Sequence, residues 1–251
     1  MNVETHTAIG RAISRHLHLV SRLEKRLVRG LEGPDRWRWR EFPEFRAHHS
    51  IYPERIMDIV WSARRAYLAG DLGGALEALG VALHYVQDKC VVGARKGLRR
   101  IHNEVEREIA SLEIPADAIK EGFERAECSP LFVRAVLYSI EPSANPREAL
   151  RNACLYSAMI ARAVYNPSQP PREVLEILEK VKMEKAKKKR IAWILIALLA
   201  IGDFVLILTQ PLVSVILLLF SPTLLLLLVT LVERVNPRLY EQLAWYGLVR
   251  R

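Results

Sequence analysis

The sequence predicts an all-α protein, a multi-helix domain followed by a two-helix transmembrane hairpin. Three observations predict it. No stretch alternates apolar and polar residues over the length of a strand. Prolines recur where the first turn of a helix tolerates them, at Pro53, Pro115, Pro130, Pro146 and Pro171. Residues 191–232 are almost continuously apolar, which is the mark of membrane-spanning helices.

Taken in order, residues 5–30 read as a first helix, with a capping threonine at its start and a glycine at its close. Residues 31–50 read as a loop, broken by Gly33-Pro34-Asp35 and Pro43. Helices are expected over 53–69, 72–88, 98–112, 115–126, 130–140, 146–165 and 171–190. The expected domains are a helical domain over 1–168, a charged helical stalk over 169–190, the hairpin over 191–232 and a basic tail over 233–251.

As one helix, residues 191–232 would extend about 63 Å, roughly twice a bilayer core. Divided at Gln210-Pro211, they give spans at 191–209 and 212–232, each near the ~20 residues a crossing needs. Lys185, Lys187, Lys188, Lys189 and Arg190 precede the first span, and Arg234, Arg238, Arg250 and Arg251 follow the second. Positive flanks favour the cytoplasmic side. The expectation is a two-span protein of the cell membrane with both termini and the helical domain in the cytoplasm. Asp203 falls inside the first span, where an acid is costly and turns toward a polar partner. The segment 1–11 has charges and no apolar core, unlike a signal peptide.

The net charge of +9 suits a partner that is anionic, a lipid leaflet or nucleic acid, although much of the excess flanks the expected spans. Cys90, Cys128 and Cys154 are odd in number and form no even disulfide framework.

Two histidine–carboxylate pairs carry the chemistry, His84-Tyr-Val-Gln-Asp88 and His102-Asn-Glu-Val-Glu106. Residues i and i+4 of a helix share a face about 5–6 Å apart, so each pair can grip one divalent ion from a single rigid element. Imidazole nitrogen and carboxylate oxygen are ligands that zinc accepts. A lone pair of this kind is ordinarily a surface contact. Here the first follows Ala75-Leu-Glu-Ala-Leu-Gly-Val-Ala-Leu83, a mostly apolar run, and a buried polar pair needs an ion or another partner. His6, near the start of the first helix, and His49 (or His48), at the end of the loop that follows Asp35, bring the candidate ligands to seven: His6, Asp35, His49, His84, Asp88, His102 and Glu106. That is more than one zinc can use. His16 and His18 lie on different helix faces and read as surface or packing residues.

The run from Arg65 to Asp88 resembles the central helices of the zinc-dependent phospholipase C family, whose all-α trinuclear-zinc fold is shared with single-strand-specific nucleases. The Thr5-His-Thr-Ala-Ile9 start, Asp35 ahead of a loop histidine, the His-x3-Asp and the His-x3-Glu occur in that family's order, and the resemblance covers roughly 1–165. It implies that Asp35, His49, His84 and Asp88 hold one zinc and that Asp88 bridges to a second zinc bound by His6. His102 and Glu106 would hold a third. Asp35 and Asp88 are then the expected catalytic carboxylates, with a metal-bound hydroxide attacking a phosphodiester of a phospholipid headgroup. A nuclease of the same fold, or a non-catalytic scaffold stapled by zinc, are the alternatives.

Two departures from that pattern stand out. Ala94 occupies the place of a further family histidine, so two or three zincs are expected. Cys90 could replace the missing ligand or simply be a buried thiol, and Arg95, Arg99 or Arg100 could neutralise phosphate instead. The family's free amino-terminal residue has its counterpart here only in the Met1 amine. Trp37 and Arg95 are the expected substrate contacts, Trp37 within Arg36-Trp-Arg-Trp-Arg40, which could grip lipid headgroups, stack on bases or pack over a helix end.

Overall fold

The computed structural model describes residues 1–36, 52–92, 99–166, 169–209 and 236–249. Among them ten helices form. They are α1 (Val3–His16), α2 (Ser21–Arg36), α3 (Pro53–Leu68), α4 (Leu72–Lys89), α5 (Arg99–Ile109), α6 (Ala116–Arg125), α7 (Pro130–Ser139), α8 (Pro146–Val164), α9 (Arg172–Thr209) and α10 (Pro237–Trp245). Their one extended pairing is a parallel bridge between Val91 and Ser143. The chain divides into two compact units, Met1–Ser168 and Gln169–Arg251.

In the first unit α4 is the central element, packed against α2, α3 and α8. Its sequence explains that position, because Ala75, Leu76, Leu79, Val81, Ala82, Leu83 and Val86 leave no polar stripe and all are buried. The turn into it is built by local chemistry. Gly70 takes a positive φ of 82° after α3, and the Asp71 N–H donates to the Ala66 carbonyl at 3.0 Å, closing the helix in the manner that favours glycine. The Asp71 carboxylate then accepts from the Gly74 N–H at 2.9 Å and caps α4.

α2 crosses α4 with backbones almost touching. A Cβ placed on Gly80 would stand 2.3 Å from the Leu27 carbonyl oxygen and 2.9 Å from the Gly30 Cα, and one on Gly30 would stand 2.1 Å from the Glu77 oxygen. Elsewhere Arg64 of α3 is buried, and its guanidinium donates to the carbonyls of Val164 at 2.7 Å and Asn166 at 3.1 Å. The negative end of the α8 dipole therefore helps to compensate a cation that burial would otherwise penalise.

The structure corrects the expected first helix over 5–30. It breaks at Leu17–Val20, where His18 adopts a positive φ of 52°, and the Leu17 and Leu19 N–H groups close α1 onto Ile13 and Ser14. The expected loop over 31–50 is corrected in its first part, since α2 runs on through Gly33 and Pro34 to Arg36. Proline removes only one donor, at a point where the helix is already ending; residues 37–51 lie outside the described set.

The transmembrane hairpin does not stand. α9 continues without a break from Arg172 to Thr209, so the expected stalk and first span are one helix of 38 residues. Among the described residues no helix is long and apolar enough to cross a membrane. The apolar string that suggested a hairpin is divided between α9 and residues outside the described set, which include the whole of 212–232. The expected placement in the cell membrane with cytoplasmic termini, and the integral anchor, go with it. In this second unit Val181 and Ala192 of α9 are buried, and α10 packs on α9, with Lys185 Nζ lying 6.0 Å from the Tyr240 ring centre.

The α2–α4 crossing yields a measurable expectation. Alanine gains about 1 kcal/mol over glycine in a helix interior, but at Gly80 the added carbon meets rigid backbone. Gly80→Ala is expected to destabilise the protein by about 2 kcal/mol net. Gly10→Ala, whose Cβ meets only the tip of the Leu31 side chain, is expected to be near neutral. Urea denaturation of the two variants checks the contrast.

Candidate metal centre

His6 sits on the first turns of α1, whose N-cap Asn2 accepts from the Thr5 N–H at 2.9 Å. His84 and Asp88 come from the C-terminal turns of α4, and all three side chains are buried. His6 Nε2 lies 3.2 Å from Asp88 Oδ1, and His84 Nε2 lies 3.3 Å from Asp88 Oδ2 and 3.8 Å from Asp35 Oδ1. The two imidazole rings stand 4.2 Å apart between centres. One carboxylate thus offers each of its oxygens to a different histidine.

The far side of each ring fixes what it can offer. His84 Nδ1–H donates to the Leu31 carbonyl at 2.9 Å, and His6 Nδ1 is held by Gln87 Oε1 at 2.7 Å. A carbonyl only accepts, so Nδ1 carries a proton, and in the neutral ring the lone pair is on Nε2. Both Nε2 atoms are buried and, among the described residues, meet no neutral donor or acceptor, only the carboxylate oxygens of Asp88 and, for His84, Asp35. Burial lowers the His6 pKa more than Asp88 raises it, with His84 and the amino terminus adding to the lowering. A neutral imidazole with its lone pair turned toward a carboxylate is repulsive unless a cation lies between them.

The donor set fits zinc. His6, His84 and Asp88 each present an atom within 4.8 Å of the others. Ligands at ~2.1 Å from a tetrahedral ion stand ~3.4 Å from one another, and the separations of 3.2, 3.3 and 3.8 Å bracket that spacing. Proteins orient metal-binding histidines by hydrogen-bonding the opposite ring nitrogen, which is the arrangement here.

The second pair stands beside the first. His102 Nδ1–H donates to the Val92 carbonyl at 2.8 Å, and its Nε2 lies 3.3 Å from Glu106 Oε1. The Met1 amino group joins the two clusters, 2.6 Å from Asp88 Oδ1 and 2.8 Å from Glu106 Oε1. Burial pulls its pKa down, yet the two carboxylates outweigh that and leave it raised above the ordinary 8.0. A positive charge is therefore accommodated where Asp88 and Glu106 converge.

Of the sequence-predicted residues, the structure brings together His6, Asp35, His84 and Asp88, with His102 and Glu106 linked to them through Met1. His48, His49, Trp37, Ala94 and Arg95 lie outside the described residues. Cys90 is buried and donates its thiol to the Val86 carbonyl at 3.3 Å, with its pKa pushed up by burial, which is the setting of a packing thiol. Sequence reasoning missed Gln87, Leu31 and Val92, the acceptors that orient the rings. Only Gln87 left a trace in the sequence, as an amide inside a mostly apolar helix.

No family model, no curated protein and no solved structure matches the chain.

The Met1 contact makes the metal-free protein pH-dependent in a defined direction. A group whose pKa rises on folding contributes stability that is fully present below its unfolded value, here near 8.0, and that is lost as pH climbs through the raised folded value. Chemical denaturation of metal-free protein with a free or an acetylated Met1 amine is expected to differ at pH 7. The difference should shrink toward pH 10.

Proposed function

We propose that this chain is a zinc-dependent phosphodiesterase, acting foremost on the headgroup diester of phospholipids. The observation that carries the reading is the pair of buried imidazole nitrogens turned to opposite oxygens of Asp88. Asp35, His84 and one oxygen of Asp88 would hold one ion, His6 with the other oxygen of Asp88 a second, and His102 with Glu106 a third beside them. Bound zinc would make water a nucleophile near neutral pH and would screen the charge of the phosphate.

The chain's own residues supply the rest. His6 and His84, locked by Gln87 and Leu31, present their lone pairs without reorganisation. Asp88 divides its oxygens between neighbouring positions, which suits the paired sites that stabilise an in-line displacement. Access supports catalysis over a purely structural staple. The centre is closed on the α1–α4 side, while Asp35 and Glu106 keep 29% and 24% of their side chains exposed. Closed four-ligand coordination marks structural zinc, and an open position marks catalytic zinc. The order of motifs along the chain, similar to that of phospholipases C, directs the choice toward lipid diesters.

Purified protein is expected to carry two or three zinc ions per chain by mass spectrometry. His84→Ala is expected to lose zinc and to lower diester turnover by at least ~100-fold. Parallel assays on phosphatidylcholine, phosphatidylinositol and single-stranded oligonucleotides identify the substrate. Cleavage of oligonucleotides alone would move the assignment to a nuclease, and zinc without turnover on any of them would make the centre a structural staple. Absence of zinc would defeat the reading.

A further inference from the structure

The three imidazoles of the centre are held in two different ways. His84 and His102 donate from Nδ1 to the main-chain carbonyls of Leu31 and Val92, groups that only accept. His6 depends on a side-chain amide, Oε1 of Gln87 at 2.7 Å. An amide has two faces. Turned about its last torsion, Gln87 would present NH2 to His6 Nδ1, drive the ring proton onto Nε2 and aim an N–H at Asp88, with no lone pair left for a cation.

What opposes that turn lies on another helix. Gln87 Nε2 donates to Ser157 Oγ of α8 at 3.2 Å, and both side chains are fully buried. Packing alone would not call for an amide here, since a buried polar group gains little beyond what its own desolvation costs. An apolar side chain of similar volume would fill the same space.

We infer that Gln87, oriented by Ser157, is a positioning residue that keeps His6 in its metal-binding tautomer, so that α8 sets zinc affinity without contacting the ion. The inference rests on the metal-dependent reading above. Orienting partners of metal-bound histidines are worth roughly 10–100-fold in affinity.

The test is zinc affinity, measured on the full chain by competition with a chromophoric chelator, for wild type, Gln87→Leu, Gln87→Glu and Ser157→Ala. Gln87→Leu is expected to weaken binding by ~10–100-fold and Ser157→Ala by up to ~10-fold, while Gln87→Glu, which keeps an acceptor oxygen, stays within ~3-fold of wild type. Nitrogen-15 spectra of the zinc-loaded protein should show a protected His6 Nδ1–H in wild type and Gln87→Glu, absent from Gln87→Leu. Unchanged affinity in Gln87→Leu, or an equal loss in Gln87→Glu, would overturn the role of Gln87. Should Gln87→Leu fail to fold, the Ser157→Ala titration decides, and wild-type affinity there would overturn the relay. A wild-type chain that takes up no zinc would sink the metal-dependent reading and the relay together, a result distinct from one in which wild type binds and the variants bind equally well.

Discussion

Between Gly30 and Gly80 there is no room for one added carbon atom on either helix. That contact sets the separation of α2 and α4, and the candidate centre follows from it. Leu31, next to Gly30, brings its carbonyl to His84, one turn beyond Gly80. Four residues after Leu31, Asp35 reaches to 3.8 Å from the opposite nitrogen of the same ring. One close approach thus supplies both the partner that orients His84 and a carboxylate on its far side. A larger residue at either glycine would push the helices apart, and since interiors are packed to crystal-like density the displacement would not be absorbed locally.

The centre is an exercise in keeping charge underground. Asp88 is buried and ionic contacts surround it: the Met1 ammonium at 2.6 Å, with His6 and His84 close by on separate oxygens. Burial first, then His84 and the nearby amine, lower the His6 pKa against the opposite pull of Asp88, which disfavours balancing the acid by protonating that ring. The resulting demand for positive charge is local and directional. It is met in part by the amine, and the geometry of the imidazole nitrogens is suited to meeting the remainder with a divalent ion.

Much of this was legible in the sequence, and for identifiable reasons. Pro53, Pro130 and Pro146 open α3, α7 and α8 because a missing N–H matters least in a first turn. His84 with Asp88 and His102 with Glu106 were visible because helical spacing is a local property. That His6 meets them is a long-range fact, suggested only by the order of motifs. The turn at His18 was hidden because nothing in Arg15-His-Leu-His-Leu announces a left-handed residue. The apolar string after Arg190 misled, because hydropathy reports composition and not the division of a segment into elements. Leu31 and Val92 were unreadable in principle, since they act through main-chain oxygens that any residue would provide.

The short bridge between Val91 and Ser143 gives remote sequence a lever on the centre. Ser143 donates to the Cys90 carbonyl and accepts from the Val92 N–H, so the connection between α7 and α8 clamps the strand-like residue whose carbonyl holds His102. Substitutions in that connection would shift the aim of His102 by small increments while leaving every ligand intact. Evolution, or an engineer, has there a tuning screw for one half of the centre that is mechanically separate from the glycine crossing governing the other.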